Sequence, residues 1–212
     1  MLARPYIAAV LLLAAAGTAA GLAVAAHFAF FLMPFAWTGE AARLVALLRI
    51  QPGDRVADIG AGDGSHAVAV ARFMGRDGEV LATDIDPGRR QASADRASRA
   101  QVKVRVMAGA TDGTNLPDGC CDAIYMRTML HHVANPPAFA RDVVRSIRPG
   151  GRIAVIDFAP GRLWFHGGDH GVTPDEVASA FISAGCTVRH RDDHWGGPTF
   201  LLVFECARGG SR

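Results

Sequence analysis

The sequence predicts an α/β domain with a doubly wound, mostly parallel sheet of seven strands, the last of them antiparallel, preceded by an N-terminal transmembrane helix. From Arg55 onward, short apolar runs alternate with stretches of helical spacing, which indicates strands joined by crossover helices. Residues 187–191 and 199–206 have the pattern of two final strands with no room for a helix between them, so we expect these two to pair antiparallel. A glycine-rich turn joins the first strand to the helix that follows it.

The N-terminal stretch differs in composition from the rest of the chain. No Asp, Glu, Lys or Arg occurs from Pro5 to Gly39. Because about 20 apolar residues span a bilayer as a helix, we predict a membrane anchor over residues 1–36 and one domain over residues 37–212. A cleaved signal peptide is the alternative, although its apolar region would be only roughly 7–15 residues long. Within the run, Gly17 and Gly21 have GxxxG spacing, which permits a weak homodimer through close helix contact.

Composition places the rest of the chain among globular proteins with a sizeable core. Of the 212 residues, half are apolar, and the formal net charge is +2. No long basic run occurs, so we expect no nucleic-acid partner. The four cysteines are Cys120, Cys121, Cys186 and Cys206, and none belongs to a CxxC pair. Because adjacent cysteines bridge only with strain, we expect reduced thiols in a cytosolic protein.

The elements follow in order from local signals. Residues 40–49 have the spacing of an amphipathic helix, and a Pro-Gly-Asp turn follows it. The predicted strands before the final pair are 55–59, 79–83, 102–107, 122–126 and 152–158. The later helices are predicted at 65–74, 86–100, 137–147 and 173–185. Asp86-Pro87 and Thr173-Pro174 each place a capping side chain before a first-turn proline, and Pro149-Gly150-Gly151 stops the helix before the fifth strand.

The turn VADIGAGDGS, Val56 to Ser65, indicates a ligand site. In an α/β sheet, ligands bind at the carboxyl ends of the strands, where glycines let the backbone come close and a helix presents its first N–H groups. The third glycine, Gly64, comes one residue too early for the dinucleotide fingerprint GxGxxG. Asp58, just before the turn, would also repel an anionic dinucleotide. A ligand that carries an ammonium group would suit it better.

This pattern resembles the first motif of the class I S-adenosylmethionine-dependent methyltransferases, an acid followed by GxGxG, here Asp58 and the run from Gly60 to Gly64. The resemblance covers about Glu40 to Cys206 and implies a Rossmann-like fold with S-adenosyl-L-methionine as the cofactor. The glycines Gly60, Gly62 and Gly64 would then surround its methionine part. Asp58 would either lie near that end of the cofactor or act as a structural anchor of the loop.

The resemblance assigns further residues to the cofactor site. Asp84 in VLATDID, 24 residues after Gly60, matches the family's acid that accepts the ribose hydroxyls. Asp112 is assigned to the adenine amino group, although the family often has an acid where this chain has Ala110. Also assigned to the cofactor site are Ala61, Ile85 and Arg127.

Two later stretches extend the resemblance. LPDGCCDAIYMRTMLHHV is similar to the run that ends the family's fourth strand, and RSIRPGGRIAVIDF is similar to its fifth-strand signature. Four motifs in the family's order imply a methyltransferase of the EC 2.1.1 type, a transferase that needs no metal.

Four side chains near the strand ends are candidates for a general base, which matters when the acceptor is a hydroxyl or a carbon acid. They are Tyr125, His131, His132 and Asp157. His131 and His132 are the predicted catalytic residues, because imidazole titrates near neutral pH. The alternative is that this histidine pair, common at this place in the family, packs and hydrogen-bonds without a catalytic role. The loop from Gly161 to Gly171 is expected to border the acceptor site through Trp164, Phe165, His166 and His170.

The acceptor is predicted only by class. The apolar N-terminus favours a lipid, a quinone or another membrane-partitioned molecule, and a small soluble acceptor is the other possibility. Because S-adenosylmethionine is made in the cytosol, we expect the domain to face the cytoplasm, with export after signal-peptide cleavage as the alternative. Two other functions stay open: a non-catalytic membrane-tethered scaffold with the methyltransferase fold, and an NAD-dependent oxidoreductase.

Overall fold

The computed structural model describes residues 34–161 and 171–206, with side chains from residue 39 onward. The chain divides into two units, Met1–Glu40 and Ala41–Arg212. The predicted transmembrane helix, together with Gly17 and Gly21, lies outside the described residues, and the domain boundary after residue 36 stays a prediction. Among the described residues, no helix combines the length and the apolar character needed to cross a membrane.

Helices and strands alternate along the described chain. The helices are α1 (Pro34–Leu48), α2 (Ser65–Met74), α3 (Pro87–Ala100), α4 (Pro136–Ser146) and α5 (Pro174–Ser183). The strands are β1 (Arg55–Ile59), β2 (Glu79–Asp84), β3 (Val104–Ala108), β4 (Cys121–Arg127), β5 (Ile147–Phe158), β6 (Cys186–Gly196) and β7 (Thr199–Cys206). A 3₁₀ turn, Leu130–His132, follows β4.

The strands form one seven-stranded sheet in the order β3-β2-β1-β4-β5-β7-β6. Strands β1 to β5 are parallel, and β7 pairs antiparallel with both β5 and β6. The predicted doubly wound α/β fold with an antiparallel last strand is therefore confirmed. Because the chain order reverses between β1 and β4, the carboxyl ends of these two strands open a crevice, the usual place for a ligand in such sheets.

Both faces of the sheet are covered by apolar helix faces. Alternate residues of each strand belong to opposite clusters, as with Val56 on one face and Ala57 on the other. Helices α1 and α2 contribute to the first cluster, and α4 and α5 to the second. Phe181 of α5 stacks on Phe204 of β7 with ring centroids 4.7 Å apart.

Local signals explain where the helices begin. The Asp86 carboxylate accepts the backbone N–H of Arg89 at 2.8 Å, and the Asn135 side chain caps α4 in the same way. Thr173 and Glu176 form a reciprocal capping box at α5. Prolines occupy the first turn of α3, α4 and α5, where a missing N–H leaves no hydrogen bond unmade.

The structure differs from the predicted elements mainly in length. Helix α1 begins at Pro34 rather than at residue 40. Strand β5 begins at Ile147, because Ile147 already pairs with Cys121 before a register shift, so the Pro-Gly-Gly segment lies within an irregular strand. Strand β6 continues to Gly196 through a second irregularity. The predicted turns are thus present as bulges in strands longer than their local patterns indicate.

The expectation of reduced thiols is wrong for this structure. Cys186 and Cys206 stand opposite each other on β6 and β7 and form a disulfide bond, with Cα atoms 4.0 Å apart. Cys120 and Cys121 are paired as neighbours along the chain. The 186–206 pair could not be found from spacing, because the antiparallel register of the last two strands brings the two residues together.

Candidate active site at the carboxyl edge of the sheet

The glycine turn after β1 is held against β2 by its own backbone. The N–H groups of Gly60 and Ala61 both donate to the Thr83 carbonyl at 2.9 Å. Gly62 N–H donates to Asp84 Oδ2 at 2.8 Å. All three glycines of the turn have positive φ, between 57° and 76°, which L-residues with side chains adopt only at a cost.

The three glycines meet different surroundings. A Cβ on Gly60 would lie 2.9 Å from the Met129 side chain, and one on Gly64 would lie 2.3 Å from Ser93 Oγ and 2.9 Å from the Ser93 Cα. A Cβ on Gly62 would have nothing within 4 Å. Gly60 and Gly64 therefore allow close packing within the protein, whereas Gly62 borders open space at the strand ends.

Asp84 ends β2 and is 7% exposed. Its two carboxylate oxygens accept the backbone N–H groups of Gly62 and Asp86, at 2.8 and 2.9 Å. Each carboxylate oxygen has a second lone pair, so these bonds leave acceptor capacity for two further donors such as vicinal hydroxyls.

Asp58 lies beneath the turn rather than at its surface. It is 2% exposed, and the Tyr125 hydroxyl donates to Asp58 Oδ2 at 2.8 Å. Burial raises the pKa of Asp58 from 3.8 to about 6, although the neighbouring His66 and Arg127 and the Tyr125 hydrogen bond act in the other direction. This geometry pairs Asp58 with Tyr125 in the core and favours a structural role over direct contact with a ligand.

The Asp58→Asn variant is expected to be more stable than the wild-type protein at neutral pH. A carboxyl whose pKa is raised by folding contributes stability below its ordinary pKa of 3.8 and loses that contribution as the pH rises through about 6. Asparagine removes the charge and keeps an acceptor for Tyr125. The gap in unfolding free energy between variant and wild type should widen by about 2 kcal/mol from pH 4 to pH 7.5, measured by urea denaturation. An equal difference in unfolding free energy at both pH values would contradict a raised pKa of Asp58 in the folded protein.

The other residues assigned to the cofactor lie at the same edge of the sheet. Ala61 is part of the turn, and Arg127 ends β4. Ile85 follows Asp84 and is 61% exposed, unusual for so apolar a side chain. Asp112 is exposed on the loop after β3. That loop is fixed by Thr114, whose backbone N–H and hydroxyl both donate to Asp142 Oδ2, at 2.7 and 2.8 Å.

A histidine–carboxylate pair lies farther along this edge. His131 Nδ1 is 2.6 Å from Asp157 Oδ1, and Asp157, near the end of β5, is completely buried. The backbone N–H groups of His131 and Phe158 also donate to this carboxylate, at 3.2 and 2.8 Å. A carboxylate acceptor at Nδ1 places the proton of a neutral imidazole there, which leaves Nε2 to accept one.

The structure separates the four candidate bases. Tyr125 is fully buried, and both burial and the neighbouring Asp58 raise the pKa of its hydroxyl further, so it cannot serve as a base at this edge. Asp157 is completely buried against His131, so it can act only through the imidazole. His132 is exposed, and its ring lies 4.0 Å from that of His131, centroid to centroid. Trp164, Phe165, His166 and His170 lie outside the described residues.

Sequence comparison identifies this type of domain. Residues 57–155 match the model of a family described as "Methyltransferase domain". The chain is 35% identical over 120 residues to 27-O-demethylrifamycin SV methyltransferase of Amycolatopsis mediterranei, which covers 55% of this chain and 43% of that protein. It is 29% identical over 120 residues to the ubiquinone/menaquinone biosynthesis C-methyltransferase UbiE of Cupriavidus metallidurans, which covers 57% of this chain and 49% of that protein. The chain thus spans less than half the length of either relative.

Solved structures agree on the fold. A SAM-dependent methyltransferase from Aquifex aeolicus superposes with a TM-score of 0.69 at 21% identity, covering 77% of this chain and 88% of that one. Geranyl diphosphate methyltransferase in complex with SAM gives a TM-score of 0.66 at 15% identity, covering 79% and 84%.

This is a class I S-adenosylmethionine-dependent methyltransferase domain, as the fold, the glycine turn and the match to the family model together indicate. Residues 57–155, slightly less than half of the chain, match the methyltransferase family model. The predicted resemblance and the predicted cofactor of this class, S-adenosyl-L-methionine, are confirmed.

The side chains at the carboxyl edge fit this cofactor. The open space beside Gly62 allows close approach to the backbone, and Asp84 offers a buried carboxylate for a ribose diol. Exposed Ile85 presents an apolar surface for an aromatic base. The individual contacts predicted for these residues remain predictions.

Proposed function

We propose that this domain transfers a methyl group from S-adenosyl-L-methionine to a hydroxyl or an acidic carbon of a small-molecule acceptor, with His131 as the general base. The observation that carries this proposal is the 2.6 Å contact between His131 Nδ1 and Asp157 Oδ1, on the same sheet edge as the glycine turn. A base held in one tautomer is needed when the acceptor must lose a proton, and much less when it is an amine or a thiol.

The residues of this chain would bind the cofactor, orient the acceptor and remove the acceptor's proton. When bound, the cofactor supplies an electrophilic methyl group on a sulfonium sulfur, which leaves with its bonding electrons as a neutral thioether. The turn and Asp84 would hold the cofactor, and His131 Nε2 would take the acceptor's proton as the acceptor atom bonds to the methyl carbon. Asp157 would stabilise the imidazolium that forms.

The relatives support an acceptor of this kind. The name of one specifies an O-methylation, and that of the other a C-methylation in quinone biosynthesis. A neutral oxygen or carbon acceptor must lose a proton when it is methylated, which is the step that a general base assists. A quinone-like or other membrane-partitioned acceptor also suits the apolar N-terminus of this chain.

Calorimetric titration of the full-length protein with S-adenosylmethionine, and separately with NAD, tests the cofactor part of this proposal. We expect micromolar binding of the first and none of the second. Asp84→Asn should weaken binding roughly 10- to 100-fold, because one charge-assisted acceptor is lost. Asp77→Asn, at an exposed carboxylate of the turn before β2, is the matched control and should leave binding unchanged. Binding of NAD instead, or no effect at Asp84, would contradict the assignment.

For the location, we propose a single membrane anchor within residues 1–36, in which Gly17 and Gly21 permit weak self-association, with the domain facing the cytoplasm. The cofactor's cytosolic synthesis supports this side of the membrane. The Cys186–Cys206 disulfide instead fits the alternative, export, because disulfides persist mainly in oxidising compartments. Alkylation of cells at the moment of lysis, followed by mass analysis of the protein, distinguishes the two: modified Cys186 and Cys206 indicate the cytoplasm, and an intact disulfide indicates export.

A further inference from the structure

A cleft of about 430 Å³ adjoins the catalytic pair, and His131 forms part of its wall. We propose that this cleft binds the methyl acceptor and that its lining selects a hydroxyl-bearing molecule that has an apolar body and carries no negative charge. This inference rests on the proposed function, because it names the substrate class for the same site.

Three segments form the apolar wall of the cleft. Leu130 and Val133 come from the turn after β4, Pro136 and Pro137 from the start of α4, and Val172 from the segment before α5. Leu130 is 1% exposed and Val172 is 7% exposed, so this wall is continuous with the core beneath it. Such a surface favours an apolar body, and the volume is within the usual range for small-molecule sites.

Helix α5 supplies the polar side of the cleft. Glu176, Ser179 and Ser183 line it together with Ala180, and this spacing places all four on one helix face. The two serine hydroxyls can each donate and accept, so they suit hydroxyl or carbonyl groups on an acceptor. They stand across the cleft from the turn that carries His131.

The charge of the lining disfavours anionic acceptors. Among the described residues that line the cleft there is no Lys or Arg, and Glu176 is the only carboxylate. The hydrogen bonds from Thr173 hold Glu176 in place and lower the pKa of its carboxyl, so it stays ionised at neutral pH. A phosphate or carboxylate on the acceptor would meet this negative charge. The other titratable side chain of the lining is His131, which carries no charge when it is ready to act as the base.

Two matched probes test the inference on the full-length protein: 2,6-dihydroxynaphthalene, which is neutral, and 6-hydroxy-2-naphthoate, in which a carboxylate replaces one hydroxyl. Binding is measured by ligand-observed NMR with S-adenosylmethionine present and absent. We expect the diol to bind about fivefold more tightly than the naphthoate, the effect of one like charge in an open cleft. Glu176→Gln should remove most of this preference, and glutamine retains the capping box at α5.

Steric filling provides the second test. Ser183→Leu should weaken the diol at least tenfold and leave S-adenosylmethionine affinity unchanged, whereas Ile182→Ala, on an exposed neighbour outside the cleft, should change neither. Equal binding of the two probes by the wild-type protein, unchanged binding in Ser183→Leu, or no binding of either probe would overturn the inference.

The outcomes also separate this inference from the proposed function. If the diol binds in the cleft but no acceptor is ever methylated, the selective cleft stands and the catalytic proposal fails. If an acceptor is methylated by the wild-type protein and by Ser183→Leu at the same rate and KM, the catalytic proposal stands and the cleft is not the acceptor site.

Discussion

Replacement of His131 by alanine is expected to lower kcat/KM for methylation of a hydroxyl acceptor by about 10²- to 10⁴-fold, the usual contribution of a general base. Cofactor affinity should not change, because His131 follows β4 and is not part of the glycine turn. Steady-state kinetics paired with calorimetry separates the two effects. His132→Ala is the control: this exposed neighbour should lose less than about tenfold.

The same argument predicts the behaviour of Asp157. In Asp157→Asn the side chain keeps its shape but can donate to Nδ1, which favours the tautomer with the proton on Nε2 and so blocks its use as a base. We expect a fall in kcat comparable to that of His131→Ala, and the double variant should lose little more than either single one, as for residues that act as a unit. Additive losses, or normal turnover by His131→Ala, would exclude the pair from catalysis.

The glycine turn gives the second large effect, on folding. Gly64→Ala would place a methyl group 2.3 Å from Ser93 Oγ and 2.9 Å from the Ser93 Cα, so α2 and α3 would have to separate. We expect a loss of about 3 kcal/mol or more from overpacking and the positive φ together, measured by chemical denaturation. Ser93→Ala should be nearly neutral, because Ser93 Oγ is buried with no hydrogen-bond partner among the described residues.

Gly62→Ala is the matched comparison within the same turn. Its methyl group would enter open space, so only the strain of a positive φ remains, about 1 kcal/mol. We expect a folded protein whose S-adenosylmethionine affinity falls at least tenfold, because the methyl group occupies the ligand's side of the turn. If Gly62→Ala and Gly64→Ala lost the same stability and affinity, the different roles assigned to these glycines would be wrong.

Much of the fold could be predicted from sequence because its signals are local. The cap and first-turn proline at Asp86-Pro87 locate α3, and the glycine turn locates the junction of β1 and α2. The lengths of β5 and β6 could not be predicted. The Pro-Gly-Gly segment of β5 has the sequence of a turn, and only its pairing with a neighbouring strand shows that the strand continues through it. The Cys186–Cys206 pair likewise depends on register.

The part of the site that could be predicted from sequence consists of motif residues that directly follow or end a predicted strand. The glycines, Asp58 and Asp84 stand next to the strand ends that the sequence already shows. The pairing of His131 with Asp157 could not be predicted, because 26 residues separate them and their contact depends on β4 and β5 being neighbours in the sheet. No local pattern could have indicated that Met129 and Ser93 pack against the glycines.

The hydrogen bonds that tie the turn to β2 have a consequence for binding thermodynamics. Three consecutive amides, those of Gly60, Ala61 and Gly62, are held by the end of β2 as part of the fold itself. Ordering a residue's backbone opposes association by roughly 1–2 kcal/mol, and here that entropy is lost during folding rather than on encounter with a ligand. A cofactor that binds at this turn, as we propose, would therefore meet a backbone that is already ordered. Its affinity would reflect the contacts that it makes, without the entropy cost of ordering the turn.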